Sequence, residues 1–357
     1  MNNGLEGVIA AETTLSMVDG ARGELVIAGY AIDELAPNAT FEETVALLWG
    51  HAPDLTASRA IPQATLDLLA SAAAERLDPM DALRMSLRGA SGNDAGDARN
   101  VLAVFPTIVA AYWRLLHGRD PIAPRADLGH AANYLYMLTG EVTSAERVRG
   151  LETYLNTVVD HGLNASTFTA RVIVSTGSDF VSAVAGAIGA LKGPLHGGAP
   201  GPALDMVFEI GDAARAESYL REKIERGEKL MGFGHRVYKV RDPRADVLNV
   251  AAERMFRRGG DMKLYELARA VESTALRLLA EYKPGRNLQT NVEFYTALLL
   301  HGLGLEVPLF TPTFAISRVA GWLAHAFEQR RANRIIRPQS VYVGPRGMTW
   351  SSISAHS

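Results

Sequence analysis

The 357-residue chain contains no cysteine, which excludes disulfides, a thiolate nucleophile and any cysteine-based metal centre. Its fold must therefore rest on packing alone, and a reducing compartment is permitted. An excess of charge of one sign is also missing. A net charge of -3, with 21% charged and 48% apolar residues, describes a globular chain with no bias toward polyanions, so nucleic acid is not expected as the main partner. Long apolar runs are absent too: residues 181–191 fall far short of the ~20 residues that a membrane span needs. The opening MNNGLEGVIA has neither the basic segment nor the apolar stretch of a secretory signal. These absences predict a cytoplasmic protein with no membrane partner. No HExxH occurs and the nine histidines lack ligand spacing, so no metal is expected. GxSxG, the P-loop and the dinucleotide fingerprint are likewise missing.

What is present reads as helix after helix. Dividing the length by a typical ~100 to 200 residues per domain predicts two domains. With no fixed-period repeat, low-complexity tract or βαβ alternation, the predicted class is all-α with a minor β element. Residues 24–32, ELVIAGYAI, are the one strand-like stretch and predict a short strand or hairpin arm. Thr40 and Glu43 form a capping-box pattern, so a helix should run through Val45 and Leu48 and end at Gly50. Residues 107–116 read as a core helix with Pro106 at its start and Gly118 past its end. In residues 179–192, small residues at helical spacing should let a neighbouring helix approach closely. Residues 213–229 read as a solvated helix, and 264–282 and 313–330 as apolar-striped ones. Breaks at the glycine and proline cluster after His196 and around residues 302–308 are the candidate domain boundaries.

Three histidines sit among helix-stopping residues: His161 in DHGLNAST, His196 in GPLHGGAPGP and His235 in MGFGHRVYKVRDPR. A single histidine is more often a satisfied polar residue than a catalyst. Three in such settings point to a ligand, since flanking glycines admit close approach and helix termini offer unpaired N–H donors to an anion. Residues 232–244 also gather Arg236, Lys239, Arg241 and Arg244, which suits carboxylate or phosphate as well as a solvated basic surface. Arg318 lies mid-helix beside Ile316 and Val319, a costly position for a charge unless it meets an anion. Arg334 and Arg337 add cations near the end. Glu293, between Val292 and Phe294, is either a carboxyl whose pKa desolvation raises toward that of a general base, or a first-turn acid complementing a helix dipole.

The ordered segments GLEGVIAAETTLSMVDGARGELVIAGYAIDELA, DHGLNASTFTAR, GPLHGGAPGPALDM, MGFGHRVYKVRDPRA, NVEFYTALLLHGLG and FTPTFAISRVAGWLAHAFEQ resemble the citrate synthase family along nearly the whole chain. The resemblance implies a two-domain, almost wholly helical fold, with residues 1–197 and 305–357 in a large domain, 198–304 in a small one, and a hinge after His196. It implies an acyltransferase that joins acetyl-CoA to oxaloacetate, or propionyl-CoA in the 2-methylcitrate synthase variant, with no tightly bound cofactor. His196 would donate to the thioester carbonyl and His235 would polarise the ketone. His161, Arg244 and Arg318 would hold the oxaloacetate carboxylates, joined by Arg337 from the other subunit of a homodimer, while Lys239 would lie near the CoA phosphates. No further domain precedes GLEGV, so the NADH-regulated hexameric form is not expected. Three departures stand out: Glu293 where the family usually has an aspartate base, Thr290 where it often has proline, and Gly162 where glutamate is common. Glu293 leaves open a shifted backbone, a site for a bulkier acyl group, or a paralogue that binds CoA or a dicarboxylate without turnover. A plain helical scaffold would need none of these histidines.

Overall fold

A computed structural model describes residues 4–5, 7–197, 200–235, 237–259 and 261–348. Among these, the regular structure is fifteen α-helices, two short 3-10 helices and one small sheet, which matches the all-α expectation. The sheet consists of β1 (Ser16–Asp19), β2 (Glu24–Ile27) and β3 (Tyr30–Ala31), antiparallel in the order β1-β2-β3. The first helices are α1 (Ile32–Asn38), α2 (Phe41–Trp49), α3 (Gln63–Ala74), α4 (Pro79–Met85) and α5 (Asp94–Leu116). They are followed by α6 (His130–Thr139), α7 (Ala145–Val158), α8 (Ala165–Ser175), α9 (Phe180–Leu191) and α10 (Pro200–Ile210). The last five are α11 (Ala213–Glu225), α12 (Pro243–Gly259), α13 (Met262–Tyr282), α14 (Val292–Gly302) and α15 (Phe310–Ala332).

Local chemistry sets most boundaries. Thr40 and Glu43 form the reciprocal capping box of α2, and Gly50 ends it at φ 75°. Asp179 caps α9, and a Cβ at Gly186 would lie 2.4 Å from Ile173 Cδ1, so the small residues do bring α8 against α9. Elsewhere the structure corrects the expectation. Residues 24–32 do hold a short strand and hairpin arm, but the strand is shorter than the stretch: Ala28 (φ 49°) and Gly29 (φ 91°) turn the chain between β2 and β3, the paired positive φ that tight hairpins require. Pro106 does not start a helix but sits inside α5, which begins twelve residues earlier behind the Asn93 cap. The lost backbone bond is offset by burial of Phe105, Pro106, Ile108 and Val109 in the core. Helix α11 stops at Glu225, short of 229, since Gly227 takes φ 77°.

Helix α15 is the axis of the packing, touching α2, α5, α7, α8 and α9. At Gly321 a Cβ would lie 2.2 Å from the Val159 carbonyl oxygen, so only glycine lets the helix meet the chain just before His161. The β1–β2 turn braces a second functional segment: a Cβ at Gly20 would lie 2.3 Å from the Val237 oxygen, and the Lys239 N–H donates to the Gly20 carbonyl at 2.8 Å. Among the described residues no single helix is long and apolar enough to cross a membrane; α14 and α15, bent by 116°, are both largely buried.

Candidate active site

His161, His196, His235, Arg244, Glu293 and Arg318 line one cavity of about 400 Å³, a size that suits a small ligand or part of a larger one. They come from six places: the turn after α7, the chain after α9, the loop before α12, α12 itself, and helices α14 and α15. Lys239 and Arg337, expected near the CoA phosphates and in the partner subunit's pocket, do not line this cavity. Lys239 is exposed on the loop that rests on Gly20, and Arg337 is exposed on the extended chain beyond α15. The glycine cluster expected as a hinge falls partly on residues 198–199, outside the described residues.

The His235 loop shows how tautomer and charge are set. Gly232 and Gly234, at φ 86° and 84°, bend the loop so that the backbone N–H groups of Val237 and Tyr238 donate to His235 Nδ1 at 3.0 and 3.1 Å. With Nδ1 accepting, the neutral ring carries its proton on Nε2. Burial, followed by the nearby Arg244, lowers the His235 pKa to about 4, so the ring is neutral near pH 7. Asp242 grips Arg244 through both carboxylate oxygens, at 3.0 and 2.8 Å, and also accepts from the Val292 N–H at 3.2 Å. Arg244 Nη2 ends 3.3 Å from His235 Nε2. Both atoms are then donors, so a single acceptor oxygen placed between them would satisfy both.

His161 follows a buried anchor. Asp160 accepts from Ser16 Oγ of β1, and His325 Nε2 lies 3.2 and 3.3 Å from its two oxygens. Arg171 donates to His325 Nδ1 at 3.0 Å and pairs with Glu328 at 2.6 Å. Burial acts to raise the Asp160 pKa, but His325 and Arg318 together hold it below its ordinary value. Gly162 stands at φ 59°, which explains glycine at that position through backbone conformation. His161 Nε2 is 3.1 Å from the Tyr238 hydroxyl, and burial keeps the ring neutral.

Arg318 is 1% exposed, donates from Nε to the Val158 carbonyl at 2.7 Å, and lies 4.6 Å above the Phe314 ring. Among the described residues no carboxylate is within ion-pair distance, and burial lowers its pKa to about 10. A guanidinium desolvated this far, with Asp160 acting on it only from beyond contact distance, is suited to an anionic ligand. His196 Nε2 lies 2.8 Å from Ser166 Oγ, which accepts from Trp322 Nε1 at 3.0 Å and donates to Asn164 Oδ1 at 2.8 Å. Burial, then Arg318, lowers the His196 pKa to about 4. The neighbouring Gly197 has a packing reason, since a Cβ there would lie 2.5 Å from the Leu191 oxygen. Ligand approach was the expected reason, and chain approach is the observed one.

Glu293 stands in the first turn of α14, capped by Asn291, whose Oδ1 accepts its N–H at 3.0 Å and whose Nδ2 donates to the Gly234 carbonyl at 2.8 Å. The helix terminus favours the carboxylate, yet burial dominates and raises the pKa to about 7, with Arg244 opposing and Asp242 adding to the rise. Sequence reasoning overlooked Asp242, Ser166, Asn291 and the Asp160–His325 pair. Asp242 and Asn291 carried a signal, being the acid before Pro243 and the polar residue before an apolar helix. Ser166 and His325 carried none, because their partners are distant in the chain.

The family model described as citrate synthase, C-terminal domain, matches residues 4–339. Citrate synthase 2 of Bacillus subtilis strain 168 is 43% identical over 364 residues, covering 96% of this chain and 95% of that protein. The 2-methylcitrate synthase of Mycobacterium tuberculosis is 40% identical, covering 96% and 91%. The citrate synthase of Thermoplasma acidophilum, solved as a ternary complex with carboxymethyl coenzyme A and oxaloacetate, superposes with a TM-score of 0.85 at 30% identity, covering 99% of each chain. Fold, cavity and sequence agree, and the chain belongs to the citrate synthase family.

Proposed function

We propose that the protein condenses acetyl-CoA with oxaloacetate and water to give citrate and CoA. The observation that carries this reading is the convergence of two donors, His235 Nε2 and Arg244 Nη2, 3.3 Å apart in one cavity beside the buried Arg318. A 2-oxo dicarboxylate supplies what those groups lack: a ketone oxygen for His235, and carboxylates for Arg244, Arg318 and His161. Glu293 then removes a proton from the thioester methyl group, while His196 donates a hydrogen bond to the thioester oxygen. Ser166 holds the His196 ring in place through the 2.8 Å contact between its Oγ and Nε2. The resulting enolate carbon attacks the ketone carbon, and the alkoxide formed there takes up a proton. Water then cleaves the thioester, releasing CoA and citrate. Neutral histidines suit this task, because they stabilise developing oxyanions without fixed charge in the resting site.

In the same reading, residues 198–304 form the small domain that closes over 1–197 and 305–357, excluding water until the carbon–carbon bond exists. Two copies associate, and Arg337 of each completes the other's oxaloacetate pocket, consistent with its exposed place on an extended arm. Lys239 approaches the CoA phosphates, no cofactor is tightly bound, and the location is cytoplasmic. Propionyl-CoA is the alternative donor, favoured by the M. tuberculosis relative; one methylene changes discrimination by only ~1 to 3 kcal/mol.

The test follows CoA release with a thiol reagent, which meets no cysteine on this protein. Oxaloacetate-dependent release is expected with acetyl-CoA, and the ratio of specificity constants against propionyl-CoA names the substrate. His196→Ala should lose turnover by about a hundredfold or more while oxaloacetate still raises its melting temperature. Full turnover in that variant would remove His196 from the mechanism.

A further inference from the structure

Behind Glu293 lies a charged cluster, built round one buried carboxylate, that the chemistry above does not use. Glu272 of α13 is 3% exposed, and its carboxylate takes four donors from four sources. Thr290 Oγ1 donates at 2.7 Å, Arg241 Nη1 at 3.0 Å, Arg269 Nη1 at 2.6 Å and the Tyr295 hydroxyl at 2.5 Å. Arg241 belongs to the His235 loop, Tyr295 to α14, and Thr290 to the chain just before Glu293. One carboxylate thus joins the loop that carries one catalytic group to the helix that carries another.

The segment before α14 is fixed on its other side as well. The Gly234 N–H donates to the Gln289 carbonyl at 2.7 Å, and the Asn291 N–H to the Gly232 carbonyl at 2.9 Å, forming the bridge that pairs Phe233 with Thr290. These bonds use the neighbours of Thr290 and leave its side chain for Glu272. Thr290 is therefore held from two directions, by the His235 loop through its flanking backbone and by α13 through its hydroxyl. Such a clamp matters more for a long base than a short one. A glutamate tip lies one C–C bond, roughly 1.5 Å, further from its backbone than an aspartate tip. Any rotation of the helix start sweeps the longer side chain through a wider arc.

We propose that Thr290 and Glu272 are positioning residues that fix the start of α14, and so fit this site to a glutamate base in place of an aspartate. The inference rests on the reading that Glu293 is the base. It makes Thr290 a determinant of which carboxylate functions three residues later, although it touches no substrate.

Glu272→Gln would disturb both arginines and could unfold the cluster, so the informative variants are Thr290→Val, which keeps the branched shape without the hydroxyl, and Thr290→Ser, which keeps the hydroxyl. Thr290→Val should lower kcat about tenfold or more, given that a ~1 Å misplacement can cost about a hundredfold. Both KM values should stay within about twofold, because His161, Arg244 and Arg318 do not depend on the hydroxyl. In unliganded protein with 13C-labelled glutamate, the Glu293 carboxyl titration should move in Thr290→Val and return in Thr290→Ser. Glu293→Asp should lose activity in the native background and lose distinctly less in the Thr290→Val background, the non-additivity of coupled sites. Unchanged kcat and titration in Thr290→Val would overturn the proposal, as would a serine variant as impaired as the valine one. If the native protein releases no CoA from any acyl donor, the condensing reading fails by itself. The carboxyl titration still judges the clamp: displaced in valine and restored in serine supports it, unmoved in both refutes it.

Discussion

At the scale of single residues, Glu293 has competing influences on its proton. Its N-terminal place on α14 and Arg244 favour the anion; burial and Asp242 favour the acid, and the result is a pKa near 7 against an ordinary value of 4.5. The base is consequently about half formed at neutral pH. With Glu293 as the base, kcat/KM for the acyl-CoA should rise with pH through an apparent pKa of about 7 and show no separate histidine limb near 6.5, since His196 and His235 titrate at about 4. A profile flat from pH 5.5 to 8.5 would exclude Glu293. Stability carries the same signature with a definite sign. The folded state holds this proton more tightly than the unfolded chain, so the acid's contribution is complete below 4.5 and is lost as pH rises through about 7. Glu293→Gln cannot ionise and should retain it, denaturing later than the native protein at pH 8 by up to about 3 kcal/mol, and by almost nothing at pH 4. Urea titrations at the two pH values measure the difference.

At the scale of elements, the site depends on how closely α15 lies against the turn that bears His161. Gly321 permits the approach, with its absent Cβ only 2.2 Å from the Val159 oxygen and 3.1 Å from Asp160 Oδ1. Gly321→Ala should therefore cost about 1 to 3 kcal/mol, the usual penalty of overpacking, and should push Asp160 away from His325 and Ser16. The stabilisation of the protein by oxaloacetate should shrink with it, which a thermal-shift series against oxaloacetate concentration would record. Gly189 of α9, with nothing near its missing Cβ, makes the matched control: alanine there should leave that series unchanged. Elements of this kind were legible in the chain only where the signal is local. The capping box of α2, the Asp179 cap and the small-residue face of α9 are written within a few residues of their effects. Pro106 misled because the core that holds α5 straight through it is assembled from other helices. The two-residue β3 is too short to leave any periodicity. In the site, the three histidines and two buried arginines were visible through their glycine-rich or apolar settings. Ser166, Asp160 with His325, and Glu272 were not, because each acts through a partner brought near by folding.

At the scale of the whole molecule, the unfinished part of the cavity concerns Arg337. It lies on the exposed chain beyond α15, on a stretch whose Val341, Tyr342 and Val343 also face solvent. An arm with apolar side chains and a cation fits a second copy better than open water, and closed two-fold association would give each copy the other's arginine. Complementation tests this directly. Arg337→Ala and His196→Ala should each be inactive or nearly so as separate proteins. When they are mixed and allowed to exchange subunits, about half of the dimers should be hybrids, each with one site built from an intact His196 body and an intact Arg337 arm. Activity should recover to about a quarter of the native value per subunit. If Arg337 served its own cavity, both sites of every hybrid would lack a residue and mixing would restore nothing. Recovery would thus locate Arg337 across the interface. Failure to recover, in a mixture shown by mass spectrometry to contain hybrids, would return the residue to its own chain.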